Sequence, residues 1–292
     1  MTLPLWRADF PQAPLREGYR GLAHQPDRRT PMERGNSRLR ALWPGSPAEV
    51  ETRWRFTAAA FNGFKLFYEG ELARGTNWFT LPLWFGGPCR DAEAQFTGLY
   101  GFAPRGAHAV TVSARLQVRR MPYEAPAPGE MEGFFDAAGR AVWPASLPEG
   151  PLREGIDIEP HRPVPTSDFE EGPRAKRDLF GASPAGLPVQ WSMSAAQFES
   201  FKTFYFEGLS WGRRRFLAPL WYGRNLDRAA LRFLEPFAFA PRFGSRVLVS
   251  ARVEALRLPV FGPPAFWGVP PDGLAGTSLP GAQIEIEIAT AP

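Results

Sequence analysis

The chain has 292 residues, 44% of them hydrophobic and 14% aromatic, which supports one large core or two modest ones and excludes a disordered polymer. Its formal charge of +4 is the small difference between 34 basic and 30 acidic residues spread along the chain, so no basic tract points to nucleic acid, and only Lys65, Lys176 and Lys202 are lysines. No run approaches the roughly 18 consecutive apolar residues of a membrane span, and the opening Met1-Thr2-Leu3-Pro4-Leu5-Trp6-Arg7 lacks the basic start and apolar core of a signal peptide, so a soluble chain made in a cytoplasm is expected.

Residues 1–14 read as an N-terminal arm. From Leu15 onward a repeat organises the chain: Leu15-Arg16-Glu17-Gly18 recurs as Leu152-Arg153-Glu154-Gly155. The same offset carries His24 onto His161, Trp54 onto Trp191, Phe61, Phe64 and Phe67 onto Phe198, Phe201 and Phe204, Gly75 onto Gly212, and Trp84 onto Trp221. It also carries Val112-Ser113-Ala114-Arg115 onto Val249-Ser250-Ala251-Arg252, so residues 15–122 align with 152–259 without a gap. We read this as a tandem gene duplication.

Within the first copy, Thr52 to Thr57 alternates with Trp54 and Phe56 on one face, the pattern of a half-buried strand, and Thr57 stands where it can cap a helix. From Ala58 to about Ala73 the residues Phe61, Phe64, Phe67, Tyr68 and Leu72 make one helical stripe, with Gly75 as a left-handed stop. Trp78 to Phe85 reads as a strand carrying Pro82, hence an edge or bulged one. Cys89, the chain's one cysteine, can form neither an internal disulfide nor a multi-cysteine zinc site and is expected to be a buried, inert thiol. Ala92 to Thr97 and Val110 to Val118 supply two more strands. Residues 123–151, rich in proline and glycine, read as a linker. The second copy repeats the order with Ser194 as cap and Gly212 as stop. Residues 260–292 read as a C-terminal arm in which Gln283-Ile284-Glu285-Ile286-Glu287-Ile288 is strand-like. The expected fold is mainly β with α: two duplicated modules, each an antiparallel sandwich or partial barrel with one packed helix.

Chemistry-bearing motifs are scarce. His24 and His161 are equivalent, His108 maps to Ser245, and no further His, Cys or carboxylate stands at ligand spacing around them. Neither a Walker loop, a GxSxG elbow, a HExxH pair nor a GxGxxG turn occurs. Glu69 and Glu71 become Phe206 and Gly208 in the other copy, and Arg213-Arg214-Arg215 aligns with Thr76-Asn77-Trp78, so neither group is shared. The aromatic stripe reads as core rather than as a stacking platform, because the residue types common to both copies are those that set packing and turns. The expectation is a chain with no catalytic, cofactor-binding or metal-binding residues.

Arg29-Thr30-Pro31-Met32-Glu33-Arg34-Gly35-Asn36-Ser37-Arg38, Val50 to Thr57, the helix before Gly75, Trp78-Phe79-Thr80-Leu81-Pro82-Leu83 and Val112-Ser113-Ala114-Arg115-Leu116 together resemble the structural tail proteins of long, non-contractile-tailed bacteriophages. The second copy departs from this pattern at Thr166, Phe169 and Arg215. The resemblance implies a virion protein of the distal tail, baseplate or tube, assembled in the host cytoplasm. Its partners would be itself, as a trimeric or hexameric ring, and other tail proteins, with DNA passing through a channel without specific binding. Two functions of other classes stand beside it: a receptor- or carbohydrate-binding module, motivated by the tryptophans, and an enzyme that opens the cell envelope.

Overall fold

The computed structural model describes residues 3–23, 27–30, 38–41, 48–106, 108–123, 126, 129–154, 159–160, 166–167, 175–176, 185–222 and 225–255. Met1–Pro259 forms one compact unit; Val260–Pro292, with its expected terminal strand, lies outside the described residues. The described residues are mostly β with two α-helices. In order come β1 (Arg20–Leu22), β2 (Asp27–Thr30), β3 (Arg38–Ala41), β4 (Ala48–Thr57), α1 (Ala58–Glu69), β5 (Phe79–Trp84), β6 (Cys89–Phe96), β7 (Gly101–Arg105) and β8 (Ala109–Val118). Then follow β9 (Ala141–Val142), β10 (Glu159–Pro160), β11 (Thr166–Ser167), β12 (Ala175–Lys176), β13 (Ala185–Met193), α2 (Ala195–Thr203), β14 (Phe216–Tyr222), β15 (Asn225–Phe233), β16 (Ala238–Arg242) and β17 (Arg246–Ala255).

Alternation sets up the first half. In β4 Val50, Trp54 and Phe56 are buried while Glu49, Arg53 and Arg55 face out, as period-two patterning requires. Thr57 then leaves the strand and its hydroxyl accepts the Ala60 amide at 3.2 Å, starting α1. The buried stripe Phe61, Phe64, Phe67 and Tyr68 holds the helix on the sheet, each such side chain contributing about 1.5–3 kcal/mol. The helix stops at Glu69, earlier than the aromatic pattern suggests. The Leu66, Phe67 and Tyr68 carbonyls are taken by the amides of Gly70, Leu72 and Arg74. Three left-handed residues, Ala73, Arg74 and Gly75, then turn the chain toward β5.

Full-length pairing of β4 with β8 makes the spine of this half, and the other edge of β8 takes β7 on Ala109–Ser113 and β6 on Leu116–Val118. β5 pairs with β6 and is the last named strand on this side, bridged beyond it at Thr80 by Leu5, so Pro82 can lack a donor there. β7, whose sequence Gly-Phe-Ala-Pro-Arg does not alternate, is a strand the sequence did not announce.

The second half repeats these relations at the Leu15-to-Leu152 offset. Trp54 lies opposite Val112 and Trp191 opposite Val249; Phe102 lies opposite Val112 and Phe239 opposite Val249. Ser194 caps α2 in a full capping box with Gln197. Ser210, Trp211 and Gly212 are left-handed as Ala73, Arg74 and Gly75 are. The hairpins β2–β3 and β11–β12, each a separate two-stranded sheet, also correspond. His24, His161, residues 31–37 and 155–158 lie outside the described residues.

Two segments that read as arm and linker are part of the packed body. Trp6 and Phe10 are buried against Trp54, Phe56, Phe64 and Phe67, and Trp143 and Leu147 are buried in the second half. Trp6 Nε1 donates to the Pro11 carbonyl at 3.0 Å and Trp143 Nε1 to that of Pro148 at 2.8 Å. The Trp6 amide bonds Thr80, and the Trp143 amide bonds Leu217. So β9, inside the expected linker, pairs parallel with β14, and the large sheet is mixed rather than purely antiparallel.

Candidate assembly interface

One sheet runs through both halves, and it is continuous because of β1. One edge of β1 pairs antiparallel with β4 of its own half, the other with β16 of the second half, giving the order β4, β1, β16, β17. The joined edges are not equivalent: a first-strand edge from one half meets a β16 edge from the other.

Side chains seal this seam. Gly21 lies opposite Phe239, whose ring covers it so closely that a Cβ on Gly21 would stand 2.0 Å from the ring. Phe239 is 1% exposed, with its ring 5.2 Å from Phe198 and 6.2 Å from both Trp84 and Phe85. Gly86, in left-handed conformation, admits the Phe198 ring where a Cβ would stand 2.3 Å from it. Tyr19 Oη donates to the Trp84 carbonyl at 2.5 Å. Burial, with a smaller push from Cys89, holds the Tyr19 hydroxyl far above the ordinary tyrosine range.

The charged lock is Lys202 on α2. Its ammonium is fully buried and donates to Glu199 Oε1 at 2.8 Å, to the Pro122 carbonyl at 2.9 Å and to the Phe85 carbonyl at 3.4 Å. It therefore ties the second-half helix to the end of β5 and to the chain beyond β8. Arg90 of the first half approaches Glu199 Oε2 at 3.8 Å, and Tyr123 Oη donates to Glu207 of the second half at 2.5 Å. A buried ammonium is tolerated only when paired and hydrogen-bonded, so its presence here fixes one relation of the halves.

The other residues singled out by sequence do not converge. His108 is exposed, and Glu69 and Glu71 are exposed, the latter paired with Arg7 at 2.6 Å. Arg214 lies over the Phe135 ring at 5.7 Å. Trp6, Trp54, Trp84, Trp143 and Trp191 are buried, while Trp78, Trp211 and Trp221 are half-buried. Cys89 is half-buried rather than buried, and burial raises its thiol pKa, which keeps it a weak nucleophile. A shallow groove of about 430 Å³ over β4 and β8 is lined by Glu51 and Arg115, which pair with each other at 2.6 Å. Among the described residues no three His, Cys, Asp or Glu side chains stand together as a metal site, and no helix is long and apolar enough to cross a membrane.

Sequence reasoning missed Gly21, Phe239 and Lys202. A signal existed for the last: Lys202 and Lys65 occupy equivalent positions in a chain with only three lysines. No family model matches the chain, and no curated protein matches it.

Proposed function

We propose that the chain is a structural subunit of a bacteriophage tail, built by tandem duplication of a β module and assembling into a ring at the distal tail or baseplate. Each module is a curled sheet, or partial barrel, with one helix in its concave side. Trp6 spans from β4 to β5, its ring 5.2 Å from Trp54 and 6.1 Å from Phe79. The observation that carries the reading is the β1–β16 seam. Contacts between unlike edges are heterologous, and repetition of a heterologous contact closes into a ring when the rotation between modules allows it. Two modules on one chain are then two adjacent positions of that ring.

Its partners are further copies of itself and neighbouring tail proteins, and DNA passes through the centre without sequence-specific contact. Chemistry plays no part in this role, and the shape and pairing of strand edges do. Among the described residues five tryptophans are buried and three half-buried, which supports a packing role for them over a carbohydrate-stacking one. Gold-labelled antibody against the purified chain, applied to tailed particles from cells carrying the gene, tests the assignment. Label at the tail tip is the expected result; particles that carry no label and lack the chain by mass spectrometry refute it.

A further inference from the structure

The seam inside the chain uses one edge from each half and leaves the equivalent edge of each half without a partner among the described residues. β16 has β17 on one side and β1 on the other, whereas its equivalent β7 has only β8 among the described residues. β10 pairs with β13 through Glu159 and Gly186, as β1 pairs with β4 through Leu22 and Glu49, yet β10 has no second strand among the described residues. These two edges are the same unlike pair that meets at β1–β16.

We propose that β7 and the adjoining face of α1 in one copy dock on β10 and the end of β14 in a second copy of this chain, repeating the internal seam between chains. This deepens the ring reading and rests on it. The side chains on the β7 face are already posed for the contact. Phe239 lies 5.2 Å from Phe198 at 41° and 6.4 Å from Phe237 at 47°. Phe102 lies 5.3 Å from Phe61 at 44° and 6.4 Å from Tyr100 at 44°. The poses coincide, but Phe239 is 1% exposed and Phe102 62%. Lys202 over Phe198 at 5.2 Å is buried; Lys65 over Phe61 at 5.3 Å is exposed. Leu66 is 71% exposed where its equivalent Thr203 is 3%. An exposed patch of this kind on one end of a chain, matching a buried patch on the other, marks a contact surface.

The receiving side keeps the tryptophan and the glycine of the internal seam. Trp84-Phe85-Gly86, which cover Phe239 and admit Phe198, recur as Trp221-Tyr222-Gly223, and Trp221 is half-buried where Trp84 is 7% exposed. Three positions differ: Phe85 becomes Tyr222, Tyr19 becomes Ile156 and Gly21 becomes Ile158. Ile158 stands in the sequence where Gly21 does, so a ring cannot lie as flat on the neighbouring strand as Phe239 lies on Gly21. The contact between chains is therefore weaker than the internal one and depends on concentration, as suits a subunit that assembles after synthesis.

The internal register gives the test. Leu22 faces Ala238 across the seam, and the equivalent pair between chains is Glu159 with Gly101. Directly opposed antiparallel residues have Cα atoms about 4.5–5.5 Å apart, within disulfide reach. In a full-length Cys89→Ser chain, the pair Gly101→Cys and Glu159→Cys is expected to give a ladder of disulfide-linked multimers on oxidation. The control pair Leu22→Cys and Ala238→Cys closes within one chain and gives none. Phe102→Glu, at a side chain exposed in the single chain, is expected to leave circular dichroism and Tm unchanged while light scattering falls to the single-chain mass. Rings in the unmodified protein with no ladder and no response to Phe102→Glu overturn this interface and leave the ring reading standing. A monomer at every concentration overturns both. A monomer whose β7 amides resist hydrogen exchange assigns the edge to residues 260–292 of the same chain and overturns the second copy as its occupant.

Discussion

Gly21→Ala isolates the steric logic of the seam. Gly21 is not among the left-handed glycines, so alanine meets no backbone strain there. With no neighbour in the way, the change would stabilise the chain by about 0.4–1 kcal/mol through the unfolded state. The added Cβ instead falls 2.0 Å from Phe239, whose ring is enclosed by Trp84, Phe85 and Phe198 and has nowhere to swing. Overpacking of this kind costs about 1–3 kcal/mol, so net destabilisation is expected. Phe239→Ala alone should cost about 3–5 kcal/mol as a buried aromatic removed from a packed site. In the double variant the ring is gone, and Gly21→Ala should be neutral or mildly stabilising. Guanidinium denaturation of the two single variants, the double variant and the parent, followed by tryptophan fluorescence, measures the coupling. A coupling of about 1–3 kcal/mol is expected; additivity within about 0.5 kcal/mol would mean that Gly21 and Phe239 do not meet as described.

Three further outcomes follow from the same contacts. Lys202→Met should lower stability by about 3 kcal/mol, because it removes the ammonium between Glu199, Phe85 and Pro122, and adding Glu199→Gln should restore part of the loss; Lys65→Met, at the exposed equivalent, should change the single chain by less than about 0.5 kcal/mol, all read from denaturation midpoints. Trp143→Ala should cost about 3–5 kcal/mol by the same assay, where a residue in a mere linker would cost almost nothing. Tyr19 keeps its proton in the folded chain while the unfolded chain ionises above about pH 10, so its contribution is full below that pH and declines as pH rises beyond it. Tyr19→Phe should remove that share of the alkaline slope in stability, and at neutral pH it should cost about 1–3 kcal/mol by leaving the Trp84 carbonyl without its donor.

Local patterning made much of each half legible. Alternation at Trp54 and Phe56, the hydroxyls of Thr57 and Ser194, and the stripe from Phe61 to Tyr68 all formed the elements expected of them, because each depends on near neighbours. Prolines in the segments before each Leu-Arg-Glu-Gly suggest loose chain, whereas Trp6, Phe10, Trp143 and Leu147 there are buried. Trp6 and Pro11 stand at the repeat offset from Trp143 and Pro148, and the indole-to-carbonyl bonds join those residues. The proline-bearing turn lets each indole close on its own backbone and then fill the core. β7 was invisible because an exposed strand needs no apolar alternation, and Phe102 gave no sign of its edge. The seam itself depends on which edges meet across more than two hundred residues of chain, as Gly21 and Phe239 do, and no local pattern encodes that.

The most direct measurement of the central claim is the mass of the purified full-length chain across a range of concentrations by light scattering, followed by averaged electron micrographs of the largest species. Closed rings of three or six chains with an open centre are the expected result, since the two modules proposed for each chain would supply six or twelve equivalent positions. A single-chain mass at every concentration, or open filaments that never close, would contradict a ring-forming subunit.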